Sequence, residues 1–274
     1  MCVLEISKIW NKIRYEVSLL LKKEPILSDF YQYSILQHQN FISSLSYILA
    51  NKLSTSMISE KKIQNVFNEI YLNNPSILNF IVRDIKAVLQ RDPAVNDYLT
   101  PLLYLKGFHA LEAYRISHYL WNIKKKSLSI YLQNRISAEF SVDIHPAACI
   151  GSGIMLDHAT GIVIGESVII EDDVSIFHSV TLGSTGKNFS KKRHPTIRKG
   201  VVIGAGAKVL GNVEVGLGAK IGAGSIVLKN VPEYVTVVGI PAKIVNKLDR
   251  KICHNQEEKS SFQSIHNFQY GDGI

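Results

Sequence analysis

Two different spacings of apolar residues divide the chain. Up to about residue 140 the spacing is helical. Phe41, Leu45, Ile48, Leu49 and Leu53 fall on one face, as do Ile77, Leu78, Ile81, Ile85 and Leu89, and then Leu128, Tyr131, Leu132 and Ile136. Thr100-Pro101 reads as a helix start, with threonine as N-cap and proline next, where its missing N–H costs nothing. From residue 144 the interval becomes six. Ile144, Ile150, Leu156, Ile162, Val168, Val174 and Val180 are aliphatic, and after a break Ile197, Ile203, Val209, Val215, Ile221 and Val227 resume the series.

A six-residue unit with one inward aliphatic is too short for a helix and its connection. It suits a short strand plus a corner, and three such units close a triangular coil of 18 residues whose apolar side is buried by stacking on its neighbours. Glycines in Gly204-Ala205-Gly206 and Gly222-Ala223-Gly224 fall where the backbone must bend tightly. The predicted fold is α+β: a helical domain over 1–140, a parallel β-helix over 141–246, and a polar, non-periodic tail over 247–274. Pro232 and the Gly239-Ile240-Pro241-Ala242 turn are predicted to cap the coil. Val180 to Ile197 lacks the pattern, so residues 183–196 are predicted to leave the coil as an external loop, the kind of segment that commonly carries function.

Composition removes several classes. No run approaches the ~18 apolar residues of a membrane span, and the first residues lack the basic and apolar regions of a signal peptide. Cys2, Cys149 and Cys253 are scattered and odd in number, which argues against a disulfide framework and fits a reducing cytoplasm. The net charge of +8 comes from dispersed lysines, with short runs only at Lys124-Lys125-Lys126 and Lys191-Lys192-Arg193. No basic stripe interleaved with aromatics marks a nucleic-acid groove, and the charge is better read as steering an anionic substrate.

Hexads with an extruded loop resemble the hexapeptide acyltransferases. Further stretches narrow the resemblance to the bacterial serine O-acetyltransferases: Arg91-Asp92-Pro93-Ala94, Pro101 to His109, Val142 to Ala148, Met155-Leu156-Asp157-His158-Ala159-Thr160-Gly161, and Gly271-Asp272-Gly273-Ile274. The general crossover rule favours right-handed coils; the resemblance implies a left-handed β-helix. It also implies a helical domain that shares the serine site and pairs homotrimers into a homohexamer. The reaction implied is transfer of acetyl from acetyl-CoA to the L-serine hydroxyl in cysteine biosynthesis, with L-cysteine as a feedback inhibitor at the serine site.

That reaction needs a base for the hydroxyl proton, and neutral histidine suits the task near pH 7. The resemblance assigns this to His158, with Asp143 orienting its ring and His194 as a second active-site histidine. It places Asp92 and Asp157 at the ammonium of serine and Arg193 at its carboxylate, which a planar guanidinium grips in bidentate fashion. Coenzyme A is expected along the outside of the coils, past the small residues Gly183, Ser184, Thr185, Ala205 and Ala223, with Lys220 as a phosphate partner. Ser184 replaces a usual glycine, and the loop through Lys192 is one residue longer than the family pattern.

Zinc-dependent carbonic anhydrases use the same coil, but His145, His158 and His178 lack a matching pair spacing, so no metal is expected. The terminal Ile274 is implied to insert into O-acetylserine sulfhydrylase, a capture of a free carboxylate. Two other readings are an acetyltransferase for a different hydroxyl, such as a sugar, and an inactive subunit that acts through its tail. Asp92 and the helical half disfavour the first, and intact His158 and Asp143 the second.

Overall fold

The computed structural model describes residues 2–186 and 192–247. Ile274, and loop residues 187–191, lie outside the described residues. The helical half comprises α1 (Cys2–Lys23), α2 (Ser28–Tyr31), α3 (Phe41–Leu53), α4 (Glu60–Asn73), α5 (Pro75–Arg91), α6 (Leu99–Leu103), α7 (Lys106–Asn122) and α8 (Lys126–Phe140). The stripes on α3 and α5 bury Phe41, Leu45, Leu49 and Leu53, and Ile77, Ile81 and Ile85. Thr100 is not an N-cap: α6 starts at Leu99, and the Asp97 carboxylate accepts the Thr100 N–H at 2.6 Å. An aspartate three residues upstream satisfies that amide better than a threonine inside the turn. No helix among the described residues is long and apolar enough to cross a membrane.

From Val142 the chain winds through three parallel faces. The first holds β1 (Val142–Ile144), β4 (Ile162–Ile164), β7 (Thr181–Gly183), β10 (Lys208–Leu210) and β13 (Ile226–Val227). The second holds β2 (Cys149–Ile150), β5 (Ile169–Ile170), β8 (Thr196–Ile197) and β11 (Glu214–Val215). The third holds β3 (Met155–Leu156), β6 (Ser175–Ile176), β9 (Val202–Ile203), β12 (Lys220–Ile221) and β14 (Val235–Gly239), closed by the antiparallel β15 (Ala242–Lys247). Gly183 still belongs to β7 and Thr196 already to β8, so the loop proper is one residue shorter at each end than predicted.

The hexad anchors are all buried, yet they do not form one series. Strand pairing stacks Ile144 on Ile164, and Leu156 on Ile176, an offset of 20 residues and not 18. Each unit carries two inward positions two residues apart: Val142 and Ile144 are both buried, as are Ile162 and Ile164. The segment Asp157–Gly161 adds two residues to its corner, and the interval of six continues only because the count slips from one inward column to the other. Higher up, Val202 pairs with Lys220 and Lys208 with Ile226, the predicted 18. Between them, Ile169 pairs with Thr196, 27 residues on, which is where the external loop leaves.

The helical half is locked to the first two coils through charge and close approach. Buried Arg115 donates to the Asp84 carboxylate at 2.9 Å and to Gly151 O at 2.9 Å, while Asp84 accepts the Ile154 N–H at 2.8 Å. Arg83 bridges to Asp172 and Asp173 at 2.9 and 3.0 Å. At the start of α7, a β-carbon on Gly107 would lie 2.0 Å from Leu156 O. Only glycine permits that contact, and it seats the helix directly against the strand that precedes His158.

Candidate active site

The corner between the third and first faces stacks one residue from each of four coils. Counting two residues past the paired positions Leu156, Ile176, Ile203 and Ile221 gives His158, His178, Ala205 and Ala223. Backbone bonds tie the column: Gly206 N–H donates to His178 O at 2.9 Å and Gly224 N–H to Ala205 O at 2.8 Å. His158 is at its base, with a side chain 74% exposed and Nε2 3.9 Å from Asp157 Oδ2. The His178 ring meets the His158 ring edge-on, with centroids 5.8 Å apart.

His158 and Ala159 have φ of 52° and 59°, in the left-handed region that non-glycine residues avoid. Such residues cost ~1–3 kcal/mol each and persist where their surroundings over-determine them. Here Gly161 N–H donates to Ser141 O at 2.7 Å, Ser179 N–H to Thr160 O at 2.7 Å, and Lys106 Nζ meets Thr160 Oγ1. The result is a histidine projected from a rigid corner into solvent.

Asp92 reaches this corner from the helical half. It ends α5, where its N–H donates to Val88 O at 2.9 Å and its carboxylate accepts the Ala94 N–H at 2.9 Å. The preceding Arg91, half-buried as a residue with its side chain 7% exposed, donates to Gly153 O at 2.9 Å and Ser175 Oγ at 3.3 Å, sewing the helix end to the coils. Burial lifts the Asp157 carboxyl above its ordinary value; nearby Asp92 adds to the shift, and His158 and His178 oppose it.

A second group occupies the opposite edge of the first face. His194, just before β8, lies over Gly165, with its Nδ1 2.8 Å from Ser167 Oγ. Arg193 pairs with Glu166 at 2.7 Å, and Lys192 Nζ donates to Ser167 O at 2.7 Å. His145 joins them at the same corner: its Nδ1 accepts the Ala147 N–H at 3.1 Å, and Trp121 packs edge-on at 5.2 Å. Burial first, and Arg193 next, lower the pKa of His194; burial likewise lowers that of His145, against the pull of Glu166 and Asp143. Gly183 stands in the column above Gly165, and Thr185 packs at the same edge beside Gly211.

Asp143 belongs with this second group. It is the outward residue of β1, its carboxylate accepts from Gln133 Nε2 at 2.8 Å, and among the described residues no hydrogen bond joins it to His158. Lys220 lies on the third face in β12, and Ser184 follows β7 into the loop. His178, Ser167 and Gly165 carry no motif that marks them, and His145 lies in the Val142 to Ala148 stretch without an assigned role. Writing the coils in their true 20-residue register brings His178 over His158 and Gly165 over His145. Among the described residues no cluster of three or more histidine, cysteine, aspartate or glutamate side chains could hold a metal ion.

A coil of hexads with an exposed histidine at a corner defines a hexapeptide-repeat transferase. The sequence profile of the bacterial transferase hexapeptide (six repeats) matches residues 194–229, and that of the serine acetyltransferase N-terminal region matches residues 9–113. The chain is 79% identical over 274 residues, the whole of both chains, to the serine acetyltransferase of Buchnera aphidicola subsp. Acyrthosiphon pisum (strain APS). It also superposes on a serine acetyltransferase solved in complex with CoA (TM-score 0.84, 56% identity, 88% of this chain and 100% of the other). A serine acetyltransferase in complex with cysteine matches equally (TM-score 0.84, 57% identity, 87% of this chain and 99% of the other). The chain belongs to the serine acetyltransferase family.

Proposed function

We propose that this chain transfers acetyl from acetyl-CoA to the hydroxyl of L-serine with His158 as general base. The observation that carries the residue assignment is the division of charge between the two edges of the first face. Asp92, Asp157 and exposed His158 stand at one edge, and Arg193, His194 and His145 at the other. A zwitterion has an ammonium for the first group and a carboxylate for the second, which leaves its hydroxyl beside the imidazole. His158 removes the hydroxyl proton as the serine oxygen attacks the thioester carbonyl. The C–S bond then breaks, and the imidazolium returns the proton to the departing sulfur.

The two groups lie at different corners of one chain, so a single site needs both edges from neighbouring copies in a threefold assembly. Exposed Val163 and Leu228 lie along the face between them and give that contact an apolar lining. In such an assembly Asp143 of one copy stands with the second group, facing the His158 of the next, where it can orient the ring. The CoA residues divide in the same way, with Ala205 and Ala223 above His158, and Gly183, Ser184 and Thr185 at the other edge. The arm of CoA then runs in the cleft between copies, with Lys220 toward its phosphates. L-cysteine, which differs from serine by one atom, occupies the serine site as an inhibitor.

Two trimers pair through their helical domains into a hexamer, and the tail ending at Ile274 engages O-acetylserine sulfhydrylase in the cytoplasm. Deleting Ile274 should abolish capture of the sulfhydrylase in a pull-down and leave acetyl transfer intact.

The deciding experiment follows thiol release from acetyl-CoA. Release should require serine and fall at least a hundredfold in His158→Ala, within the ~10²–10⁴-fold typical of a general base. Release with a sugar alcohol but not with serine would overturn the acceptor, and undiminished release in the variant would overturn the base.

A further inference from the structure

We propose that Ser167 is a positioning residue that fixes His194 as a hydrogen-bond donor and so excludes it as a second base. The Ser167 backbone N–H points at His194 Nδ1, 3.2 Å away. An amide N–H can only donate, so Nδ1 is the acceptor and bears no proton. Ser167 Oγ lies 2.8 Å from the same Nδ1 and already accepts the Arg193 N–H at 3.2 Å, which leaves its own O–H for the ring. The single proton of the neutral imidazole therefore sits on Nε2.

The ring is held as firmly as its tautomer. A β-carbon on Gly165 would lie 2.3 Å from His194 Cδ2 and Nε2, so only glycine lets the imidazole lie flat at this level of the coil. Ser167 O receives Lys192 Nζ at 2.7 Å, so one serine clasps three consecutive residues of the returning loop. Burial and the adjacent Arg193, Lys192 and His145 favour the neutral ring, with Glu166 alone pulling the other way. Among the described residues Nε2 makes no hydrogen bond. Its N–H is thus left for an anionic acceptor, which on the serine-site reading is the substrate carboxylate.

Solid-state ¹⁵N NMR of the full-length protein labelled at histidine tests this, with the His194 signals assigned by their loss in His194→Gln. At pH 7.5 we expect an unprotonated Nδ1 and a protonated Nε2. Ser167→Ala keeps the backbone N–H that sets the tautomer but loses the hydroxyl that steadies the ring. The tautomer should persist while the serine KM rises about tenfold, with kcat and the acetyl-CoA KM within twofold and the acidic limb of the pH–rate profile unmoved. Gly165→Ala should displace the ring and raise the serine KM in the same way. A protonated Nδ1 in the unaltered protein, or an acidic limb that moves in Ser167→Ala, would overturn the proposal. If the tautomer is as stated but serine is not the acceptor, the positioning role stands and the serine-site reading alone falls.

Discussion

His178 stands one coil above His158 and turns the edge of its ring to it, with the ring planes at 72°. Its own Nδ1 is buried without a hydrogen-bond partner among the described residues. An edge-on aromatic pair contributes ~0.5–1.5 kcal/mol, enough to bias the rotamer of an exposed ring. His178→Ala should therefore lower kcat about tenfold while the melting temperature stays within a few degrees. Steady-state kinetics beside thermal unfolding check this, and an unchanged kcat would remove His178 from the site.

Asp157 should be felt in binding. Asp157→Asn keeps the shape of the corner and removes the charge that would face an ammonium. A hydrogen bond to a charged group contributes ~1.5–3 kcal/mol, so the serine KM should rise at least tenfold and the acetyl-CoA KM should not. Equal rises in both constants would place Asp157 elsewhere in the reaction.

Gly107→Ala asks whether the helical half positions His158, the proposed base. The added methyl would meet a backbone oxygen at 2.0 Å, which neither α7 nor β3 can vacate alone. Overpacking of this kind costs ~1–3 kcal/mol. The variant should melt several degrees lower and lose activity out of proportion to that loss, because the displaced strand leads into His158. Full activity with a lower melting point would separate the two halves.

His109 gives the fold a pH limit. Its ring is buried, bonds Leu102 O at 2.7 Å, and burial pushes its pKa down to about 4. The unfolded chain would protonate it near 6.5. A group whose pKa is depressed by folding contributes stability above its unfolded pKa and loses it as pH falls through the folded one. Stability should thus decline from pH 6.5 toward 4 by about 3 kcal/mol from this residue alone. In His109→Leu, denaturant unfolding should show a flatter pH dependence across that window.

Much of this was legible in the sequence, and the exceptions share one cause. Apolar spacing marked α3, α5 and α8, and the aliphatic series marked the solenoid, because burial selects residue type directly. Spacing could not show which inward column a residue joins. Asp157–Gly161 therefore passed as an ordinary hexad while it shifted every later coil by two residues. The 18-residue offset first appears where Val163 pairs with Thr181, and the hexapeptide profile matches residues 194–229. His178 and Ser167 were hidden because their roles depend on which coil lies beneath them. Arg193 and His194 were assigned by resemblance, which did not show their separation from His158 by the width of a face.

The corner column also sets a scale. Coils stack at ~4.8 Å, so Ala223 stands about 14 Å above His158 along the axis. The solenoid is thus a ruler with His158, the proposed base, at its zero mark, and the smooth residues at Ala205 and Ala223 are its graduations. A donor with a long thin arm can lie along it with its reactive end at the imidazole. Removing one 18-residue coil would leave every reacting group in place and shorten the ruler by a single division. On the proposed function, the solenoid's length would set how far a donor reaches, and the corner at Asp157–Gly161 what is done there.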